Sequence, residues 1–151
     1  MADRTLYLVT DINSYGTGWT AQARMGKSYA DGSLQLQMDT AGSSNMVARF
    51  DTKNGASNNA LNFAHPGPRR TIAWAQVASG MTQGRAGYID KTWTYFQALN
   101  AGEGMTTGNL YLSPGSADQI PLCAVAYLGA HDATTRARII RWLAQRYQIP
   151  M

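Results

Sequence analysis

Apolar and polar residues alternate in short segments along most of the chain, as in β-strands that bury one face. Residues 33–39 are the clearest case, because Leu34 and Leu36 alternate there with Gln35 and Gln37. The leucines are expected to face a core, and the uncharged glutamine face is expected to be wet or a contact surface. About nine such segments, spaced every ten or so residues by turns, predict an antiparallel β-sandwich or jelly roll.

The predicted strands are rich in β-branched and aromatic residues and are bounded by Gly, Pro, Asn or Asp. They cover residues 5–10, 19–25, 33–39, 46–51, 61–63, 71–77, 88–90, 92–99, 110–112 and 120–128. The segment 71–77 is expected to be buried on both faces. Residues 120–128 are almost wholly apolar, so they are predicted to form a central strand in which Cys123 is a small core residue.

One segment near the C-terminus has the pattern of a helix. Residues 133–147 contain no Gly or Pro, and apolar residues recur there at steps of three and four. Asp132 is placed to accept hydrogen bonds from the free N–H groups of the first turn, and Pro150 follows the end. The sequence therefore predicts a helix over about residues 132–147, after strands that run from about residue 5 to 128.

The two faces of this helix are predicted to have different surroundings. Ile140 and Leu143 are expected to dock against the sandwich, and Trp142 is expected to pack beside it. The other face is expected to be solvated and carries four arginines, Arg136, Arg138, Arg141 and Arg146.

Length and composition are those of one domain over residues 1–151 with many loops. The chain has 151 residues and 15 glycines, and 15% of its residues are charged, against about a quarter in an average protein. The net charge is +4, but no run of basic residues is longer than Arg69-Arg70. We therefore expect no nucleic-acid partner, and a surface that is partly covered by other proteins.

The termini and hydropathy give no sign of export. Asp3 and Arg4 precede only a short apolar run, which is not the shape of a signal peptide. No stretch reaches the roughly twenty apolar residues of a membrane helix. Cys123 is the only cysteine, so no internal disulfide can form. The sequence predicts a protein that acts without secretion.

The residues that carry most enzyme chemistry are scarce. Glu103 is the only glutamate, and no two acidic residues alternate on a strand as a glycosidase would need. The two histidines, His65 and His131, have no cysteine partners at zinc spacing. His131 and Asp132 are adjacent at a helix start, and we interpret them as a surface histidine beside a capping aspartate. No catalytic residue, metal ligand or cofactor is predicted, so the chain is predicted not to be an enzyme.

Three segments resemble a known family. They are the apolar strand followed by Tyr-Leu-Gly and an Arg-rich helix, the segment TIAWAQV at 71–77 and the segment AGYIDK at 86–91. Together they resemble the laminin-G-like, or concanavalin-A-like, jelly-roll domains of bacterial and phage proteins, over about the second half of the chain. The family usually has Asp-Gly where this chain has Asp90-Lys91. The resemblance implies a jelly roll, and in some relatives calcium held between distant loops.

The resemblance and the absence of catalytic groups predict a structural protein of a tailed-bacteriophage virion. The expected role is a capsid decoration or cement protein, assembled in the host cytoplasm and bound to partners such as the major capsid protein. The alternative is a lectin-like module that binds a glycan, with a tail-associated location. The expected interface or ligand contacts are aromatic and glutamine side chains, Trp19, Gln35, Gln37, Trp93 and Tyr95.

Overall fold

The structure is a computed structural model, and it describes ten parts of the chain. These are residues 3–12, 20–26, 33–39, 45–51, 60–64, 69–77, 84–89, 92–94, 110–112 and 119–151. All structural statements below refer to these residues.

The described residues form ten strands and one helix, in an order that ends with the helix. The strands are β1 (Arg4–Ile12), β2 (Thr20–Gly26), β3 (Ser33–Asp39), β4 (Asn45–Asp51), β5 (Ala60–Ala64), β6 (Arg70–Val77), β7 (Arg85–Gly87), β8 (Thr92–Thr94), β9 (Leu110–Leu112) and β10 (Gln119–Tyr127). The helix is α1 (Ala133–Tyr147).

The strands form two antiparallel five-stranded sheets. The strand order is β10-β1-β6-β7-β8 in the first sheet and β5-β4-β3-β2-β9 in the second. Strands distant in sequence are paired, because β1 lies between β10 and β6. The fold class predicted from the alternating pattern, an antiparallel β-sandwich with one C-terminal helix, is confirmed.

The inter-sheet core consists of the inward faces of both sheets. Leu6 and Leu8 of β1 pack there with Leu34 and Leu36 of β3, and all four side chains are fully buried. Alternation along each strand explains this arrangement, since residues two apart share a face. The prediction that Leu34 and Leu36 face the core is therefore confirmed.

The helix covers the other face of the first sheet and creates a second, helix-side core. Ile140 and Leu143 are buried there against Val9, Ile72 and Trp74. Residues 71–77 of β6 are all buried, because one face meets the inter-sheet core and the other meets α1. The described residues thus form three layers, and the predicted docking of Ile140 and Leu143 is confirmed.

Both ends of α1 have specific caps. Asp132 accepts a hydrogen bond from the Thr135 backbone N–H at 2.7 Å, as the sequence predicted. At the other end Gln148 adopts the left-handed conformation with a φ of 54°. The Arg70 guanidinium donates to the Tyr147 carbonyl and to the Asp11 carboxylate, which places a cation at the negative end of the helix.

The prediction that residues 120–128 form a central strand is wrong. Among the described strands, β10 has only β1 as a partner and therefore lies at the edge of the first sheet. Pro121 lies where the pairing register shifts, and proline is tolerated at such edge positions. One face of β10 packs toward the second sheet and the other toward the helix, so both faces carry apolar residues. This composition is the same as that of a central strand with a neighbour on each edge, which is why the sequence predicted one.

Two further expectations need correction. The short strand predicted at 88–90 instead lies at Arg85–Gly87, because Tyr88 follows the strand and its carbonyl accepts from the Trp74 indole. Trp142 is not a core residue, since it is 54% exposed. In the part of the chain that the structure describes, no helix is long and apolar enough to cross a membrane.

Candidate functional site

A groove lies between the end of β10 and one face of α1. It has a volume of about 490 Å³ and is lined by Tyr127 with Thr135, Arg138, Ile139 and Trp142. The four helix residues fall at steps of three and four, so they share one face of the helix. Volumes of about 300–1,000 Å³ are typical of small-molecule sites.

Two aromatic rings give the groove its chemical character. Tyr127 is 36% exposed and Trp142 is 54% exposed, so both present ring surface to solvent. Large exposed aromatic surfaces bind the apolar faces of ligands, and the Tyr hydroxyl and Trp N–H add hydrogen-bonding groups. Thr135 adds a hydroxyl, which completes a surface that is apolar with polar groups at its margins.

The charged side chain that lines the groove is the exposed cation Arg138. The sequence of α1 contains no acidic residue, and the carboxylate of the cap residue Asp132 before it is bonded to the Thr135 backbone N–H. Arg141 and Arg146 are also exposed on the helix. Exposed guanidinium groups attract anions and bind carboxylates through paired N–H donors. The confirmed exposure of Arg138 and Arg141 therefore favours a ligand that carries negative charge.

A layer of packed rings lies beneath Tyr127. The Tyr7 hydroxyl of β1 and His131 Nδ1 are 2.8 Å apart. The centroids of the Tyr127 and His131 rings are 4.6 Å apart, and the Tyr7 and Tyr127 rings meet edge to face at 6.0 Å. His131 is partly buried and its ring contacts Tyr7 and Tyr127, so it is not the solvent-facing histidine that the sequence predicted. The groove wall is thus supported by two rings from different elements.

The protonation states in this layer follow from its environment. Burial raises the pKa of Tyr7 far above its ordinary value, so the hydroxyl keeps its proton. Burial, and secondarily the Arg136 guanidinium, lower the pKa of His131, against a smaller opposite effect of Asp132. At neutral pH Tyr7 therefore keeps its proton and His131 is neutral, and the two share one hydrogen bond whose donor depends on the imidazole tautomer.

Arg136 joins the start of α1 to the sheet. Its guanidinium lies 4.7 Å from the centroid of the Trp74 ring and donates to Gln76 Oε1 at 3.1 Å. It also donates to the His131 carbonyl. The expectation that Arg136 is solvated is therefore wrong: its position one turn after the cap turns it back over the sheet.

The structure does not bring the predicted contact residues together. Gln35 is fully buried, which contradicts its prediction as a surface contact. Gln37 and Trp93 have backbones in β3 and β8, but their side chains lie outside what the structure describes, as do Trp19 and Tyr95 entirely. For those four residues the contact role stays a prediction.

The sequence did not predict the groove, because it brings together Tyr127 of β10 and residues of α1, and the helical pattern of Trp142 does not distinguish a core position from an exposed one. Helical spacing alone predicts that Trp142 packs beside the sandwich, because an aromatic residue next to the docking residue Leu143 is core more often than not. Tyr127 ends an apolar strand and was assigned to a core. The available signal was the Tyr-Leu-Gly sequence, whose glycine marks the end of the strand; Tyr127 is the last residue of β10, and Leu128 after it is 76% exposed.

The geometry of the titratable groups does not assemble a catalytic dyad at this site. The Asp132 carboxylate accepts from the backbone N–H of Thr135, and the His131 ring instead contacts Tyr7 and Tyr127. Among the described residues, no three His, Cys, Asp or Glu side chains are grouped as metal ligands. What the arrangement offers is a binding surface of rings, a hydroxyl and a guanidinium.

Comparison with known proteins gives structural neighbours at low sequence identity. No family model and no curated protein matches the chain. A botulinum neurotoxin type C structure, described as dependent for cell entry on two ganglioside molecules, matches with a TM-score of 0.68 at 11% identity. The match covers 94% of this chain and 36% of that chain. The botulinum neurotoxin serotype C1 binding domain matches at 0.65 and 11% identity, over 94% and 37%.

A third neighbour is similar in size to this chain. The Ruminococcus gnavus IT-sialidase CBM40 bound to α2,3-sialyllactose matches with a TM-score of 0.60 at 11% identity, over 93% of this chain and 83% of that chain. The present chain spans only about a third of the length of the neurotoxin chains. At these identities the likeness shows the fold, which is a β-sandwich of the jelly-roll type found in receptor-binding and carbohydrate-binding domains.

Proposed function

We propose that this protein is a non-catalytic module that binds glycans in the groove between β10 and α1. The observation that carries the proposal is the pairing of two exposed rings, Tyr127 and Trp142, across a groove of about 490 Å³. A sugar ring has apolar C–H faces that stack on aromatic rings, and hydroxyls that bond to side chains such as Thr135. A lectin-like module that binds a glycan is the alternative predicted from the sequence.

The charge of the groove favours an acidic sugar. Arg138 lines the groove beside the aromatic rings, and a sugar carboxylate offers two oxygens to its N–H donors. The structural neighbours support this choice, because one is described with α2,3-sialyllactose and another with gangliosides. We therefore propose a glycan that ends in a carboxylate-bearing sugar.

The test is calorimetric titration of the full chain with 3′-sialyllactose and with lactose. We expect measurable binding of 3′-sialyllactose and about tenfold weaker binding of lactose, since an Arg–carboxylate bond is worth on the order of 1.5 kcal/mol. Trp142→Ala should weaken binding by about tenfold or more. Arg138→Ala should abolish the preference for the acidic sugar.

Arg141→Ala is the matched control, because Arg141 is also exposed on α1 but does not line the groove. It should leave both affinities within about twofold of the parent protein. Equal losses in the Arg138 and Arg141 variants would show that only general positive charge matters. Absence of any sialyllactose binding at millimolar concentration would refute the glycan proposal.

A second candidate is the virion role that the sequence predicted first. One observation favours a protein contact: Leu110, Tyr111 and Leu112 of β9 are all more than 40% exposed on the edge of the second sheet. Consecutive exposed apolar side chains are typical of surfaces that another protein covers. Light scattering on the purified chain tests this candidate, since a strictly monomeric protein that binds glycans would favour the first proposal.

A further inference from the structure

The Tyr127 wall of the groove depends on residues that do not line the groove themselves. Its ring is in contact with the His131 ring at 4.6 Å and with the Tyr7 ring at 6.0 Å. Tyr7 is fully buried in β1 and belongs to the helix-side core, so its position is fixed by packing. Neither Tyr7 nor His131 is part of the groove lining.

We infer that His131 and Tyr7 are positioning residues of the groove: their hydrogen bond fixes the imidazole, and the fixed imidazole holds the Tyr127 ring in its binding orientation. The inference rests on the proposed function only where ligand affinity is concerned. The orientation of Tyr127 can be measured without any ligand.

His131 is held at two points, one on its ring and one on its backbone. Its ring Nδ1 is hydrogen-bonded to the Tyr7 hydroxyl at 2.8 Å, and its backbone carbonyl accepts from Arg136. The preceding loop is tied to β1 as well, because Thr5 Oγ1 donates to the Gly129 carbonyl at 2.7 Å. The segment between β10 and α1 is thus anchored to β1 and to α1.

The orientation of Tyr127 matters because Tyr127 is partly exposed and lies at the end of an edge strand. A ring free to change rotamer would have to be immobilised when a ligand binds, and that immobilisation weakens binding by about two- to tenfold. A ring already held against His131 avoids this loss. The supporting layer therefore pre-organises the groove.

Protonation of His131 disturbs this arrangement in a defined way. In the neutral ring Nδ1 accepts or donates according to the tautomer, whereas in the protonated ring both nitrogens carry hydrogen, so Nδ1 can only donate to the Tyr7 hydroxyl and the ring gains a positive charge. The groups that face the imidazole are Tyr7 of β1, Tyr127 of β10, and Asp132 and Arg136 of the helix. The support of Tyr127 therefore responds to pH with the midpoint of His131.

The experiment follows the Tyr127 ring protons by NMR between pH 4.5 and 8 in the full chain without ligand. Tyr127→Phe identifies the signals, and His65→Ala leaves His131 as the only titrating imidazole, because the chain has two histidines. We expect the Tyr127 signals to move with the midpoint of the His131 imidazole. In His131→Phe, which keeps a ring but cannot titrate, that inflection should vanish.

Affinity for 3′-sialyllactose at pH 7.5 is the second measurement. His131→Ala should weaken it by about two- to tenfold. The control is Gly129→Ala in the same loop, because a Cβ at Gly129 meets no atom within 4 Å. This variant should bind like the parent protein.

The outcomes separate this inference from the proposed function. Tyr127 signals that are identical in the parent and in His131→Ala would overturn the inference, as would unchanged sialyllactose affinity in that variant. If the parent protein binds no sialyllactose but its Tyr127 signals follow His131, the glycan proposal fails and the positioning role is supported. Should His131→Ala not fold, His131→Phe and Tyr7→Phe give the same test with the rings retained.

Discussion

Replacement of Leu143 by alanine tests whether α1 is held by the helix-side core. The Leu143 side chain is fully buried and packs with Ile140 against the outer face of the first sheet. Leu→Ala removes about three carbon groups at ~0.8 kcal/mol each, or about 2.4 kcal/mol of transfer free energy. Incomplete closure of the resulting cavity raises the expected cost to about 3–5 kcal/mol of the free energy of unfolding.

The measurement is chemical denaturation of the full chain, followed by circular dichroism for the helix and by tryptophan fluorescence. In thermal denaturation of the same variant, the unfolding midpoint should fall by roughly 5–20 °C for a chain of this size. Gln145→Ala is the matched control, because Gln145 is exposed on the same helix and should change stability by less than about 0.5 kcal/mol.

A Leu143→Ala cost below about 0.5 kcal/mol would refute the reasoning. It would mean that α1 is not clamped to the first sheet and that the groove beside it is not a fixed feature. A large cost seen by circular dichroism alone, with unchanged fluorescence, would mean that the helix separates from the sandwich before the sandwich unfolds.

Three further predictions concern the ends and the exposed face of α1. Asp132→Ala should lower the melting temperature and Asp132→Asn should retain most of it, because asparagine also caps helices. Burial lowers the pKa of His131 in the folded state, so the unfolded chain binds the proton more tightly. Stability should therefore fall as the pH drops below about 6.5 and level off below the folded pKa, and His131→Phe should remove this dependence in denaturation curves. Arg138→Ala and Arg141→Ala should each leave the denaturation midpoint almost unchanged, since both side chains are exposed.

The sequence was sufficient to predict the elements whose periodicity is strong. The bounds of β3, β9 and α1 agree with the predicted segments, because alternation or helical spacing there is accompanied by clear turn or capping residues. The predicted burial of 71–77 on both faces is also confirmed. These are local patterns, and each depends only on residues that are adjacent or one turn apart.

The position of a strand within its sheet was not predictable in the same way. The composition of β10 is equally compatible with a central strand and with an edge strand whose two faces are both covered. Only the pairing with strands distant in sequence distinguishes these positions. Gln35 is a second example, since alternation assigns it correctly to the face opposite Leu34 but says nothing of what covers that face. Long-range pairing and covering layers are decided by the whole fold.

The groove itself is a consequence of the three-layer arrangement. Tyr127 of β10 lies directly opposite Thr5 of β1. Tyr7 is two residues further along β1, so it lies on the same face of the sheet as Tyr127 and diagonally across from it. One is buried and the other is partly exposed because α1 covers β1 more completely than it covers the end of the edge strand β10. Where an edge strand extends beyond the helix that packs on its sheet, the side chains at the strand end stay partly exposed at the margin of the helix. A partly exposed ring at that margin, supported by a buried ring of the same kind, combines an accessible surface with a fixed orientation, which is what a binding site requires.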